Sequence, residues 1–160
     1  MKKIYSKLKI ITLFGTRPEI IRLSRIINKF DSIFENILVN SNQNFSYELN
    51  KIFFKDLSIR KPNYTFKKSN YNAIENISIM LKEFNQICLK EKPDACILLG
   101  DTNTSILSYV CKRHKIPIFH IEAGNRSFDQ RVPEEINRKI VDHLADVNLT
   151  YSQISKSNLL

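Results

Sequence analysis

The sequence predicts an α/β fold, a doubly wound parallel sheet of the Rossmann-like kind. Two observations carry this expectation. Short apolar runs alternate with longer amphipathic ones along the chain, the pattern of strands joined by crossover helices. No internal repeat or low-complexity linker interrupts the alternation, and 160 residues are enough for one domain with a core of its own.

Taken in order, residues 8–14 (LKIITLF) are the first buried-strand candidate, followed by a helix over 18–30. Pro18 suits a first helical turn, where its missing N–H costs no hydrogen bond. Ile20, Ile21, Leu23, Ile26 and Ile27 then supply a broad apolar face. Residues 36–40 (NILVN) read as a second strand and 46–57 as a second helix. The polar stretch 58–71 has room for a short strand at 64–66. A long helix over 72–90 carries Ile74, Ile77, Met80, Leu81, Phe84 and Ile87 on one side. Residues 94–99, between Pro93 and Gly100, form a third clear strand. Residues 102–114 are helical, 116–121 a strand with Pro117 near its start, 134–144 helical again, and 146–150 a last short strand. Residues 153–160 begin a further element.

Composition narrows the class. Hydrophobic residues make up 42% and charged residues 26%, as in soluble globular proteins. No apolar run approaches the roughly 20 residues that span a bilayer. The basic, apolar N-terminus resembles a signal peptide, but its apolar run is short, ends in GTRPE and offers no small-residue cleavage site. A cytoplasmic location without membrane attachment is expected. Cys88, Cys96 and Cys111 fall in helical or strand patterns without a C-x-x-C pair and read as small core residues. His114, His120 and His143 are too scattered to suggest a metal site. The net charge of +9 fits a nucleic acid, an anionic membrane or a small anionic substrate. Its lysines are dispersed and no nucleic-acid motif accompanies them, so a solvated basic surface is expected rather than nucleic-acid binding.

In a doubly wound sheet the ligand lies outside the carboxyl ends of the strands. Residues 15–17, 100–101 and 122–124 all follow expected strands and should face one crevice. Gly15 lets backbone approach a ligand, the helix start behind it offers free N–H groups to an anion, and Arg17 can fork onto a phosphate. An ordinary turn with a surface arginine would read the same, and G-x-G-x-x-G is absent from a chain with 3 glycines. Asp101 fits either a helix N-cap or a chemical role. Glu122, between an apolar run and Ala-Gly, should be partly buried; desolvation raises a carboxyl pKa and lets it exchange protons near neutrality. Glu134 and Glu135 begin a helix, where its dipole favours acids. Their neighbours Arg126, Arg131 and Arg138 make the pattern richer than capping requires. Carboxylates and arginines around one crevice suit a diphosphate-bearing substrate that loses and regains a proton.

Together GTRPE (15–19), GDTNT (100–104) and HIEAGNRSFDQRVPEEINR (120–138) resemble the non-hydrolysing UDP-N-acetylglucosamine 2-epimerases, in the right order and over nearly the whole chain. The stretch NRSFDQRVPEEINRKIVDHLADVNLTYS is most similar to a capsule and lipopolysaccharide subgroup. That subgroup includes UDP-N-acetyl-L-fucosamine synthases and UDP-2,3-diacetamido-glucuronate 2-epimerases. The resemblance implies a GT-B-type fold of two Rossmann-like halves with the substrate between them, a homodimer, and no metal or nicotinamide cofactor. Residues 1–150 would be the N-terminal domain and 151–160 the start of a truncated interdomain segment, with the C-terminal UDP-binding domain absent. Asp101, Glu122 and Glu134 match the family's active-site carboxylates, and Arg17 the arginine of its GTRPE turn. Gly15, Arg22, Gln43, Arg126 and Arg138 would join Arg17 in binding a UDP-sugar.

Two local departures stand out. Arg22 replaces a lysine often found five residues after the GTRPE arginine, and the two donate differently. Ser41-Asn42-Gln43 stands where relatives usually read T-G-Q, and Asn tolerates a left-handed backbone better than most residues. The resemblance implies a half that is inactive alone and works with a separately encoded C-terminal half. A GT-B glycosyltransferase fragment and a non-catalytic nucleotide-sugar-binding remnant are the alternatives.

Overall fold

A computed structural model describes residues 7–43, 54–67 and 72–160. Strands β1 (Lys9–Phe14), β2 (Glu35–Asn40), β3 (Tyr64–Thr65), β4 (Ala95–Leu99), β5 (Ile118–Ile121) and β6 (Val147–Leu149) form one sheet in the order β3-β2-β1-β4-β5-β6. Every neighbouring pair is parallel. Strand order therefore reverses between β1 and β4, which makes the crevice beyond their carboxyl ends the topological switch point. The expected doubly wound, Rossmann-like sheet is the fold observed.

Alternation along the strands divides the core in two. Ile11 and Leu13 of β1, Ile37 and Val39 of β2, and Cys96 and Leu98 of β4 pack on one face. Ile10 and Phe14, Leu38, and Ile97 and Leu99 pack on the other. Both faces are covered, so the strands read as continuous apolar runs rather than polar–apolar alternations.

Helix α1 (Arg17–Ile33) covers the second face through Ile20, Leu23 and Ile27. Ile21, expected to share that face, is exposed, because one residue's step of about 100° carries it past the buried stripe. Helix α2 (Ala73–Glu91) covers the first face through Met80, Phe84, Ile87 and Cys88, while Ile74 at its start is exposed. Asn72 caps α2 reciprocally: Glu75 N donates to Asn72 Oδ1 at 3.0 Å, and Asn72 N donates to Glu75 Oε2 at 3.3 Å. All three cysteines are buried in this first core.

The expected helix over 102–114 is two pieces, a 3₁₀ turn at Asn103–Leu107 and α3 at Ser108–Arg113. Thr102 caps the first piece by accepting from Thr104 N, and Gln43 Oε1 accepts from the same N–H. Such a tight i→i+3 turn is common at the start of an α-helix. Helix α4 (Pro133–Leu144) packs against this turn, and the short α5 is Gln153–Ser157. Of the helix expected over 46–57, residues 54–56 are helical and 46–53 lie outside the described residues. No described helix is long and apolar enough to cross a membrane.

Candidate active site

The turn after β1 is tightly packed. A Cβ on Gly15 would fall 2.1 Å from Ser41 Oγ and 2.3 Å from Thr104 Oγ1, two hydroxyls that themselves hydrogen-bond at 2.6 Å. Glycine is needed here for close approach. Gly15 N and Thr16 N donate to Glu19 Oε2 at 2.5 and 3.0 Å, and the Thr102 hydroxyl donates to Glu19 Oε1 at 2.7 Å. Glu19 is thus a buried tie between the β1 and β4 turns. Burial raises its pKa above the ordinary carboxyl range and outweighs the bonds from Thr102, Gly15 and Thr16; nearby Asp101 adds to the rise.

Asp101, past the end of β4, is not the helix cap, since Thr102 fills that role. Its carboxylate instead receives Arg138 Nε at 2.5 Å, and its backbone carbonyl receives Asn137 Nδ2 at 2.9 Å. Two neighbouring residues of α4 therefore clamp the Asp101 turn. Arg138 also donates to Glu135, which is fully buried and accepts from Ser127 N at 2.8 Å. The bond from Ser127 N, with help from Arg138, holds the Glu135 carboxyl below its ordinary range against the effect of burial.

Glu122, past the end of β5, adopts φ +72°. A non-glycine residue in this region is strained, by about 1–3 kcal/mol, and persists only where its surroundings over-determine it. Its two carboxylate oxygens accept from Arg22 Nη1 and from Asn125 Nδ2. Asn125 accepts in turn from the Ser155 hydroxyl at 2.9 Å. Gly124 has φ +77°, and a Cβ there would meet the Ser155 carbonyl at 2.0 Å. Behind this turn lies a buried cluster in which Asp142 receives Arg126 at 2.6 Å and contacts His120 at 2.9 Å. Burial alone would raise the Asp142 carboxyl, but the bonds from His120 and Arg126 bring it below its ordinary range.

The structure brings most of the expected residues together. Asp101, Glu122, Arg22 and Arg138 line one cavity of about 290 Å³ with Thr16, Glu19, Gly100 and Thr102. Arg17 opens onto an adjoining recess with Thr16, Pro18 and Thr102. Others lie elsewhere. Gln43 borders a neighbouring hollow with Ser41, Asn42, Phe66, Lys67 and Asn103. Asn42 has φ +55°, so the position usually held by glycine keeps a left-handed backbone. Arg126 turns inward and leaves 9% of its side chain exposed, which commits its guanidinium to Asp142 rather than to the crevice. Glu134 is exposed on the first turn of α4 and is not among the residues lining the cavity.

Sequence reasoning passed over Glu19, His120, Asn125, Asn137 and Asp142. Glu19 had a usable signal, an acid three residues after Thr16 in a capping-box pattern. Among the described residues no group of His, Cys, Asp and Glu could hold a metal ion. Two carboxylates from different strand ends, each paired with an arginine across one cavity, can exchange protons and bind an anion in the same place.

Residues 28–160 match the family described as UDP-N-acetylglucosamine 2-epimerase. The structure of UDP-N-acetylglucosamine 2-epimerase from Rickettsia bellii is 49% identical with a TM-score of 0.89, over 96% of this chain and 41% of that one. The Methanocaldococcus jannaschii UDP-GlcNAc 2-epimerase, solved in complex with UDP-GlcNAc and UDP, is 39% identical with a TM-score of 0.90, over 95% of this chain and 42% of that one. The UDP-2,3-diacetamido-2,3-dideoxy-D-glucuronate 2-epimerase of Pseudomonas aeruginosa is 35% identical over 95% of this chain and 44% of its own length. The chain thus spans less than half the length of the relatives it matches.

Proposed function

We propose, on the premise that this chain belongs to the UDP-N-acetylglucosamine 2-epimerase family, that its crevice is the proton-transfer wall of a site inverting C2 of a UDP-N-acetylhexosamine. The observation that carries this reading is the convergence of Asp101 and Glu122 with Arg22 and Arg138 on one cavity at the switch point of the sheet.

The chemistry follows from what these groups can do. A carboxylate takes the C2 proton while the C1–O bond breaks and the electron pair leaves with UDP, which gives a bound 2-acetamidoglycal. A protonated carboxyl then returns a proton to the opposite face of C2, and UDP adds back at C1. Inversion requires acid–base groups on both faces of the sugar, and Asp101 and Glu122 approach from separate turns. Glu134, exposed on the first turn of α4, is a third candidate. Arg22 and Arg138 counter the diphosphate charge that grows as UDP departs. Arg17 and the amides at the start of α1 add cationic and N–H donors beside them.

The described residues form one wall of this crevice. Half of the Arg22 side chain is exposed, and a charge so hydrated stabilises a departing anion far less than one shielded from water. Turnover therefore needs a second wall facing this one, while this wall binds and orients the nucleotide sugar.

Calorimetric titration with UDP-GlcNAc and with UDP tests the binding claim. Both should bind, and Arg22→Ala should weaken binding about 10-fold, as expected for loss of one charge-assisted hydrogen bond of about 1.4 kcal/mol. No measurable binding of either ligand would remove the reading.

A further inference from the structure

Behind the crevice lies a buried polar link that the proton transfer itself does not use. His120 of β5 sits in register with Leu98 of β4, on the face otherwise filled by Ile118, Leu98 and Val141. It is fully buried. Its Nε2 lies 2.9 Å from the Gly100 carbonyl oxygen and its Nδ1 lies 2.9 Å from Asp142 Oδ1. A carbonyl oxygen can only accept, so Nε2 donates. Asp142 also accepts from Arg126 Nη1 at 2.6 Å and from Gly124 N at 3.3 and 3.2 Å to its two oxygens. This is the donor shell of an ionised carboxylate, so Nδ1 donates as well.

The two ends of the link matter. Gly100 immediately precedes Asp101, and Gly124 follows Glu122 by two residues. The backbone runs left-handed at Gly100 (φ +76°), Glu122 (φ +72°) and Gly124 (φ +77°). Glycine adopts that conformation at no steric cost, whereas Glu122 holds it only where its surroundings over-determine it. An apolar side chain would fill the His120 position without the cost of burying a charged cluster. What the imidazole adds is a fixed distance between two turns.

We propose that His120 is a positioning residue for Asp101 and Glu122, donating from both ring nitrogens to hold their turns in one frame. The proposal rests on the reading of those carboxylates as the proton-transfer groups.

The test uses the full chain and the chain's own glycines. There are 3, Gly15, Gly100 and Gly124, one in each strand-end turn, and glycine amides occupy their own region of a ¹⁵N–¹H correlation spectrum. His120→Asn keeps an N–H near the Nδ1 position, His120→Gln keeps one near Nε2, and His120→Phe keeps bulk with neither. His120→Asn should move the Gly100 signal by more than a linewidth and leave Gly124 in place. His120→Gln should do the reverse, and His120→Phe should move both. Gly15 should stay put throughout. In the unsubstituted chain, both ring nitrogens of His120 should carry a proton. Equal movement of all three glycines in every variant, or no movement of Gly100 and Gly124 in His120→Phe, would overturn the proposal. Should the variants fail to fold, a His120 ring protonated at one nitrogen in the unsubstituted chain would overturn it independently. None of these signals involves substrate, so they stand or fall apart from the chemistry assigned to Asp101 and Glu122.

Discussion

Asp142 and Glu19 are both buried carboxylates beside the crevice, and their pKa values move in opposite directions: partners win over burial at Asp142, and burial wins over partners at Glu19. Asp142 faces a guanidinium and an imidazole, so its pKa lies below the ordinary value of 3.8 despite burial. The stability it contributes is present above that ordinary value and is lost as pH falls through the depressed one. Asp142→Asn should therefore cost about 3–5 kcal/mol near neutrality, the scale of breaking a buried charge pair. In urea titrations across acidic pH, that difference should shrink. Glu19 has backbone amides and a hydroxyl but no cation among its described hydrogen-bond partners, and burial raises it above 4.5. Here the sign reverses: stability is fullest below the unfolded pKa and declines as pH rises through the raised one. Glu19→Gln should flatten that decline, so the wild type's advantage over this variant should fall as pH climbs through that window.

These two residues also mark the limit of what the sequence shows. Asp101, Glu122 and Arg138 stood out because acids and arginines cluster after expected strands. Asp142 and His120 are 22 positions apart, one inside a helical pattern and the other inside an apolar strand. Nothing in local spacing pairs them, because the fold makes that pair.

At the scale of elements, periodicity and turn chemistry were legible, while the type of a short helix was not. The β1–α1 turn was readable from Gly15 and Pro18, and its packing explains the glycine. Gly15→Ala would press a methyl group into the Ser41 and Thr104 hydroxyls. It should cost about 1–3 kcal/mol, as overpacking does, read as a lower urea midpoint at unchanged slope. The start of α2 was also readable, from Asn72 followed by Glu75. Asn72→Ala should lower stability by about 1 kcal/mol in the same measurement and leave ligand binding untouched, since this cap does not line the crevice. The region after Asp101 reads as a single helix but is a 3₁₀ turn followed by a short helix, because apolar spacing over so few residues does not separate i→i+3 from i→i+4 bonding.

Across the whole molecule, six parallel strands deliver three turns to one end of the sheet, and helix α4 clamps two of them from behind. Asn137 and Arg138 hold the Asp101 turn, and Asp142 holds the Gly124 turn. The result is one ordered wall lined with three acids, Glu19, Asp101 and Glu122, and two arginines. The chain corresponds to 41–44% of the length of its relatives, so the chemistry of this wall is best read with a facing wall supplied. Joining the chain to the remaining length of the Methanocaldococcus jannaschii enzyme does this, and incubation with UDP-GlcNAc in D₂O then reports proton transfer as deuterium at C2. The chimera should incorporate deuterium, and Asp101→Asn or Glu122→Gln should each slow incorporation at least about 100-fold, the scale of losing a general acid or base. Incorporation at an undiminished rate in both variants, or a folded chimera that binds UDP-GlcNAc yet incorporates none, would contradict the assignment of this crevice as the proton-transfer wall.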